Sequence, residues 1–155
     1  MKRLLVLPVL LLTLLVGNPA SSADAKKGLD AAKKGDFATA LREWTPLAEQ
    51  GNSFAQFNLG LMYKKGRGVP QDYKTAIKWY KLAAEQGDAF AQSNLGLMYD
   101  NGQGVPQDYK TAVKWYKLAA EQGHASTQNN LGLMYALGTG TLQDYTRAHM
   151  WWNIA

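Results

Sequence analysis

AQFNLGLMYKKGRGVPQDYKTAIKWYKLAAEQGDAF, Ala55 to Phe90, decides the fold, because Ala91 to Ser126 repeats it with only seven of 36 positions changed. A third copy opens at Thr127 as TQNNLGLMYALGTGTLQDYTRAHMWWNIA and runs to Ala155. Self-similarity at a period of about 20 to 50 residues marks a stack of equal supersecondary units, each burying its apolar face only against its neighbours.

Each copy holds two helical patterns. The first is predicted from about Ala55 to Lys64, with Ala55, Leu59 and Met62 at i, i+4 and i+7 on one face. Gly60 stands inside it at a cost of roughly 1 kcal/mol relative to alanine. Its counterparts Gly96 and Gly132 accept the same cost, which points to two helix backbones approaching closely where no side chain stands between them. Gly66 and Gly68 then end the helix, Val69-Pro70 sets an extended approach, and Asp72 is placed to cap the second helix. That helix is predicted from Tyr73 to Gln86, with Tyr73, Ala76, Ile77, Tyr80, Ala83 and Ala84 forming an amphipathic stripe. Gly87 closes it, and Asn52 or Asp88 is an N-cap for the following helix.

Outward from the repeats, the register already runs through Asp24 to Phe54. Phe37, Ala40, Leu41, Ala48, Glu49, Gln50 and Gly51 fall 36 residues before their counterparts. A first helix from Ala25 to about Lys34 joins the second through Gly35-Asp36 alone, without the longer loop. A polar, divergent first unit suits an N-terminal cap, on whose outer side nothing stacks. Before it, Lys2 and Arg3 precede an apolar run of 13 residues, Leu4 to Val16, and Ser21-Ser22-Ala23 supplies small residues at a cleavage site. Residues 1–23 are therefore expected to be a signal peptide cut after Ala23, with the mature chain periplasmic or secreted. The run is shorter than the roughly 20 residues that span a bilayer, so no stable membrane insertion is expected after cleavage.

At the other end, Ala155 corresponds to Ala83 and Ala119, and the AEQG that finishes the earlier helices is missing. Met150, Trp151, Trp152 and Ile154 are expected to leave an apolar surface open there. Either the natural protein continues or this end packs on a partner; the first is the expectation.

Loss of Lys2 and Arg3 with the leader leaves 15 of the 17 Lys and Arg against 12 Asp and Glu, a mild basic balance carried on helix surfaces. There is no cysteine, so no disulfide framework supports an exported fold. Nor is there an H-E-x-x-H or a clustered carboxylate loop, and no metal or other cofactor is expected. No S-x-x-K, S-D-N or K-T-G occurs, and His124 and His149 have no carboxylate partner at helical spacing, so no catalytic residue is assigned and no enzyme is expected. Nucleic-acid binding lacks an aromatic and basic groove motif and conflicts with export.

The motif AQxNLGxMYxxGxGVxQDYxxAxxWYxxAAEQG resembles that of the Sel-one-like repeat family, the solenoid relatives of tetratricopeptide repeats with a longer loop between helices. It covers Ala55 to Gln122 almost without gaps and Thr127 to Ala155 in part; Asp24 to Phe54 resembles only its second half. The resemblance implies an all-α solenoid of stacked antiparallel helix pairs in a right-handed superhelix, the first helix of each pair lining a concave face. It also implies an adaptor that holds protein complexes together. Some cysteine-rich exported relatives bind or slowly hydrolyse penicillin-type compounds, but their paired cysteines are absent here. The alternative function is thus a cell-wall (peptidoglycan) binder or a weak penicillin-interacting envelope protein.

Comparison of the copies separates architecture from site. Asn58, Leu59, Gly60, Leu61, Met62 and Tyr63, with Gln71, Asp72 and Tyr73, are identical in all three. Phe57, Ser93 and Asn129 differ between copies, as do Lys64, Asp100 and Ala136, and the two sets are seven residues apart on one helix face. They are candidates for the inner wall that reads a protein or peptide partner, or surface positions free to drift. Asn58, Asn94 and Asn130 form a ladder that hydrogen-bonds either an extended peptide or a neighbouring helix. Trp79, Trp115 and Trp151 form a second ladder, expected to pack between repeats, the alternative being a sugar-binding platform. The oligomeric state is not legible.

Overall fold

A computed structural model describes residues 19–155, and every regular element among them is an α-helix. In chain order these are α1 (Pro19–Lys33), α2 (Phe37–Glu49), α3 (Ser53–Lys65), α4 (Tyr73–Glu85), α5 (Ala89–Asn101), α6 (Tyr109–Glu121), α7 (Ala125–Leu137) and α8 (Tyr145–Trp152). Each packs on the helix before it and the helix after it, so the chain is an all-α solenoid of four stacked pairs. The run Leu4 to Val16 lies outside the described residues. Ala23, the expected cleavage point, falls within α1, which begins ahead of the expected Ala25. Among the described residues no helix is long and apolar enough to cross a membrane.

The helix boundaries follow from their caps. Asn52 accepts a hydrogen bond from the Ala55 amide at 2.9 Å, so α3 starts directly after its cap at Ser53 rather than at Ala55. Asp88 does the same for α5 through the Ala91 amide at 2.8 Å. Asp72 and Asp108 cap α4 and α6, and their carboxylates also take the Thr75 and Thr111 hydroxyls at 2.6 Å. These bonds, the threonine hydroxyl first, hold both carboxyls below the ordinary aspartate range.

The mid-helix glycines do not bring two helix backbones together as expected; each receives an aromatic ring of the paired helix instead. A Cβ added at Gly60 would lie 2.6 and 2.7 Å from Cδ1 and Cε1 of the buried Tyr80, and Gly96 faces Tyr116 in the same way. Gly132 faces Trp152, and Gly28 faces Trp44. The first unit is therefore a complete pair with a shorter loop, its Gly28 and Trp44 being 16 residues apart where Gly60 and Tyr80 are 20 apart. Both tryptophans also donate Nε1–H to the first helix of their pair, Trp44 to the Ala25 carbonyl at 3.1 Å and Trp152 to that of Asn129 at 3.3 Å. Counted from Gly28, Lys27 and Asp30 stand where Leu59 and Met62 flank Gly60, which gives α1 the polar outer side a cap needs.

The long loops lock one pair on the last. Gly68 and Gly104 adopt φ of +72° and +74°, and a Cβ there would meet Phe37 Cβ at 2.7 Å and Tyr73 Cβ at 2.6 Å, on the first residue of the preceding pair's second helix. Gln71, Gln107 and Gln143 close each loop by donating to the carbonyls of Lys64, Asp100 and Ala136. The unvarying Gln-Asp-Tyr is thus a loop clasp, a helix cap and a seat for the next loop.

Three apolar clusters fill the junctions, centred on Trp44 and Leu59, on Tyr80 and Leu95, and on Tyr116 and Leu131. Trp79 packs back on the first and Trp115 on the second, while Trp151 is buried in the third. Trp151 therefore does not join the apolar surface expected at the last helix; Met150, Trp152 and Ile154 are exposed there.

Candidate functional site

Of the eight residues singled out from the sequence, six fall into two groups, and Asn58 and Asn129 stand apart. Phe57, half-buried, turns into the junction between pairs, its ring 5.8 Å from that of Tyr80 and 5.9 Å from that of Phe90. Ser93, one repeat on, accepts a hydrogen bond from the fully buried Thr127 hydroxyl at 2.7 Å. Thr127 Oγ1 is also 2.7 Å from His124 Nδ1, and Phe90 meets His124 edge to face at 5.0 Å. The differences Phe57/Ser93, Phe90/Ser126 and Asp88/His124 are therefore linked in space, one junction packed by aromatic rings and the next by hydroxyls. Asn129 is exposed and enters the fold through its carbonyl, which Trp152 holds.

Lys64, Asn94, Asp100 and Asn130 come together on the side formed by the first helices of the pairs. Lys64 is half-buried and donates from Nζ to Asn94 Oδ1 at 2.9 Å, bridging α3 to α5. Burial, with repulsion from Lys65, holds its ammonium below the usual lysine range. Asp100, at the corresponding place on α5, accepts from the Tyr116 hydroxyl at 3.3 Å, and Asn130 of α7 lines the same groove as Asp100. Burial first, then the Asp100 charge, pushes the Tyr116 phenol well above its ordinary range. Tyr80, its counterpart one pair earlier, is buried with its hydroxyl unpartnered among the described residues, since lysine replaces aspartate there. The asparagine ladder is built differently from either expectation at its first rung. Asn58 and Asn94 both donate to a carbonyl one turn back in their own helix, Phe54 and Phe90, each at 2.8 Å.

Two grooves open on this side. One, of about 190 Å³, lies between α1 and α3, with Leu29, Asn58 and Leu61 in its wall and Lys33 and Arg67 at its edge. The Arg67 guanidinium rests 5.5 Å from the centre of the Phe37 ring. The other, of about 200 Å³, lies between α5 and α7 and is lined by Asp100, Asn130, Leu133 and Leu137, the two leucines being exposed. The geometry offers shallow apolar contact beside charges already fixed by neutral hydrogen-bonding partners.

One structural ladder was not recognised in the sequence. Gln56, Gln92 and Gln128 are buried and donate to the carbonyls of Ala48, Ala84 and Ala120 of the preceding pair at 3.0 to 3.1 Å. Gln86 and Gln122 in turn donate to Gln56 Oε1 and Gln92 Oε1 at 2.7 and 2.8 Å, while Gln128 Oε1 is without a partner among the described residues. Identity of this glutamine in all three copies was the available signal.

Comparison with known proteins bears on the whole arrangement. The Sel1 repeat profile matches residues 53–88, 89–124 and 125–155, each match opening at the start of a helix pair. The structure is similar to that of a Sel1 repeat protein from Oxalobacter formigenes, with a TM-score of 0.82 and 39% identity over 84% of this chain and 54% of that one. It is also similar to a protective antigen present in uropathogenic Escherichia coli strains and displaying an SLR fold, with a TM-score of 0.83 and 42% identity over 86% of this chain and 30% of that one. The chain thus spans about half the length of the first and less than a third of the second. Cysteine rich protein B of Helicobacter pylori shares the fold at 17% identity and a TM-score of 0.59. Comparison with curated proteins gives no match. With three profile matches running from residue 53 to residue 155 and helix pairs that superpose on those of solved members, the chain belongs to the Sel1 repeat family.

Proposed function

We propose that this chain is an exported scaffold that binds a protein partner along the face formed by α1, α3, α5 and α7, the concave side of the solenoid. The observation that carries this is the division of labour between copies. Identical residues build the clasp, the caps and the glycine seats, whereas Lys64 and Asp100 differ and lie half-buried on the first-helix side, Asp100 in the wall of one of its grooves. Sel1 repeat proteins generally mediate protein interactions, which supports the same reading. The apolar run Leu4 to Val16 behind Lys2 and Arg3 supports export to the periplasm or beyond.

A face of this kind binds through many shallow contacts, with selectivity from the few positions that vary. Capture of partners on the immobilised chain, on a Lys64→Glu/Asp100→Lys variant and on a Lys81→Glu/Lys117→Glu variant of the opposite face tests it. A partner retained by the first and third and lost by the second is the expected result. A partner retained by the first and second and lost by the third overturns the proposal.

A further inference from the structure

The first-helix face changes character in a fixed order along the stack, and that order specifies what it fits. At the N-terminal end the groove between α1 and α3 has Lys33 and Arg67 at its edge and no carboxylate in its wall. Lys64 follows on α3, half-buried and, among the described residues, with no carboxylate within ion-pairing distance. One pair on, the same position is Asp100, held by Tyr116. One pair further it is Ala136, and the exposed side chains there are Leu133 and Leu137. The face therefore reads basic, acidic, apolar from α3 to α7.

We propose that it takes an extended peptide segment crossing the first helices, with an acidic side chain over Lys64, a basic one over Asp100 and an apolar one in the groove beside Leu133 and Leu137. This deepens the binding reading above and rests on it. At the roughly 10 Å spacing of neighbouring helices, an extended chain passes from one first helix to the next in about three residues at roughly 3.3 Å each. The segment accordingly has the form acidic-x-x-basic-x-x-apolar, its acidic end toward the N-terminal pair. Both charges are pre-oriented by uncharged partners, Asn94 Nδ2 being tied to Phe90 while its Oδ1 holds Lys64, so little side-chain freedom remains to be lost when an opposite charge arrives. Ligand order is read because reversal sets lysine against lysine and carboxylate against carboxylate.

The test uses the full chain and two fluorescein-labelled heptapeptides of serine, one with Glu first, Lys fourth and Leu seventh, the other with the two charges exchanged. Binding is read by fluorescence anisotropy at low salt. The first peptide is expected to bind about fivefold more tightly, the contribution of two partly exposed ion pairs, with the preference shrinking as salt is raised. In the Lys64→Glu/Asp100→Lys variant, checked for unchanged helix content, the preference inverts. Equal binding of both peptides, or a preference the variant leaves unchanged, overturns the charge order while leaving a peptide-binding face. Binding of neither peptide overturns both.

Discussion

Substitution of Gly60 by alanine sets two effects of opposite sign against each other. On an open helix the change stabilises by roughly 1 kcal/mol, because alanine loses less backbone freedom on folding. Here the new methyl would stand 2.6, 2.7 and 3.0 Å from Cδ1, Cε1 and Cγ of Tyr80, against the roughly 3.5 to 4.0 Å of a carbon contact. The ring must retreat by about 1 Å, and it is fully buried among Ala76, Ala83 and Leu95, which leave it no free space. Overpacking of this kind costs about 1 to 3 kcal/mol, and contacts this short place the cost at the upper end, so steric repulsion outweighs the gain in helix propensity and the net loss is about 1 to 2 kcal/mol. For a chain of this size each kcal/mol lowers Tm by about 2 to 4 °C. Thermal and urea unfolding followed by circular dichroism measure it. The cause is isolated by the Tyr80→Ala background, itself less stable, in which Gly60→Ala should become neutral or stabilising. A Gly60→Ala chain more stable than the parent, or one equally destabilised in both backgrounds, would refute the glycine seat. Gly96→Leu, which drives a larger side chain into the equivalent seat of Tyr116, should cost a few kcal/mol.

Three further outcomes follow from the same packing. Tyr80→Phe removes a buried hydroxyl with no partner and should stabilise by about 1 kcal/mol, whereas Tyr116→Phe breaks the bond to Asp100 and should destabilise by a similar amount; urea titration separates the two. Gln92→Leu removes the bonds to the Ala84 carbonyl and from the Gln122 amide, which keep the Gly87 amide and the Leu118 carbonyl as partners, and should cost about 1 to 2 kcal/mol, more than Gln128→Leu, which also removes an unpartnered acceptor. Because the Asp72 and Asp108 carboxyls are held below the ordinary 3.8, the stability they add is complete above about pH 4 and is lost as pH falls through their folded values. Asp72→Asn/Asp108→Asn should therefore lose less Tm than the parent between neutral and acid solution, as pH-dependent melting would show.

The repeat register, the second-helix stripe and the aspartate caps were legible, since each depends on residues near one another in sequence or on the period of 36; the tight packing at Gly60 was legible as well, but its partner, the Tyr80 ring instead of a helix backbone, was not. What was not legible depends on contacts between pairs. Gly28 was missed as a seat because the shorter first loop shifts it out of register, and only its ring partner Trp44 reveals it. The Gln56, Gln92 and Gln128 ladder crosses from one pair to the next, which residue type alone does not show. Of the candidate residues, Lys64 and Asp100 were singled out because they break the identity of the copies. Phe57 and Ser93 break it too, yet they do so because their junction neighbours Phe90 and Thr127 require it.

The claim that a partner docks on the first-helix face is tested most directly by placing a photo-crosslinking phenylalanine analogue at one exposed position at a time and irradiating native cells. Lys65 and Leu133 sample that face, and Leu82 and Leu118 sample the second helices. Adducts of one mass from the first two positions and none from the last two are predicted. Adducts from Leu82 and Leu118 alone would contradict the account.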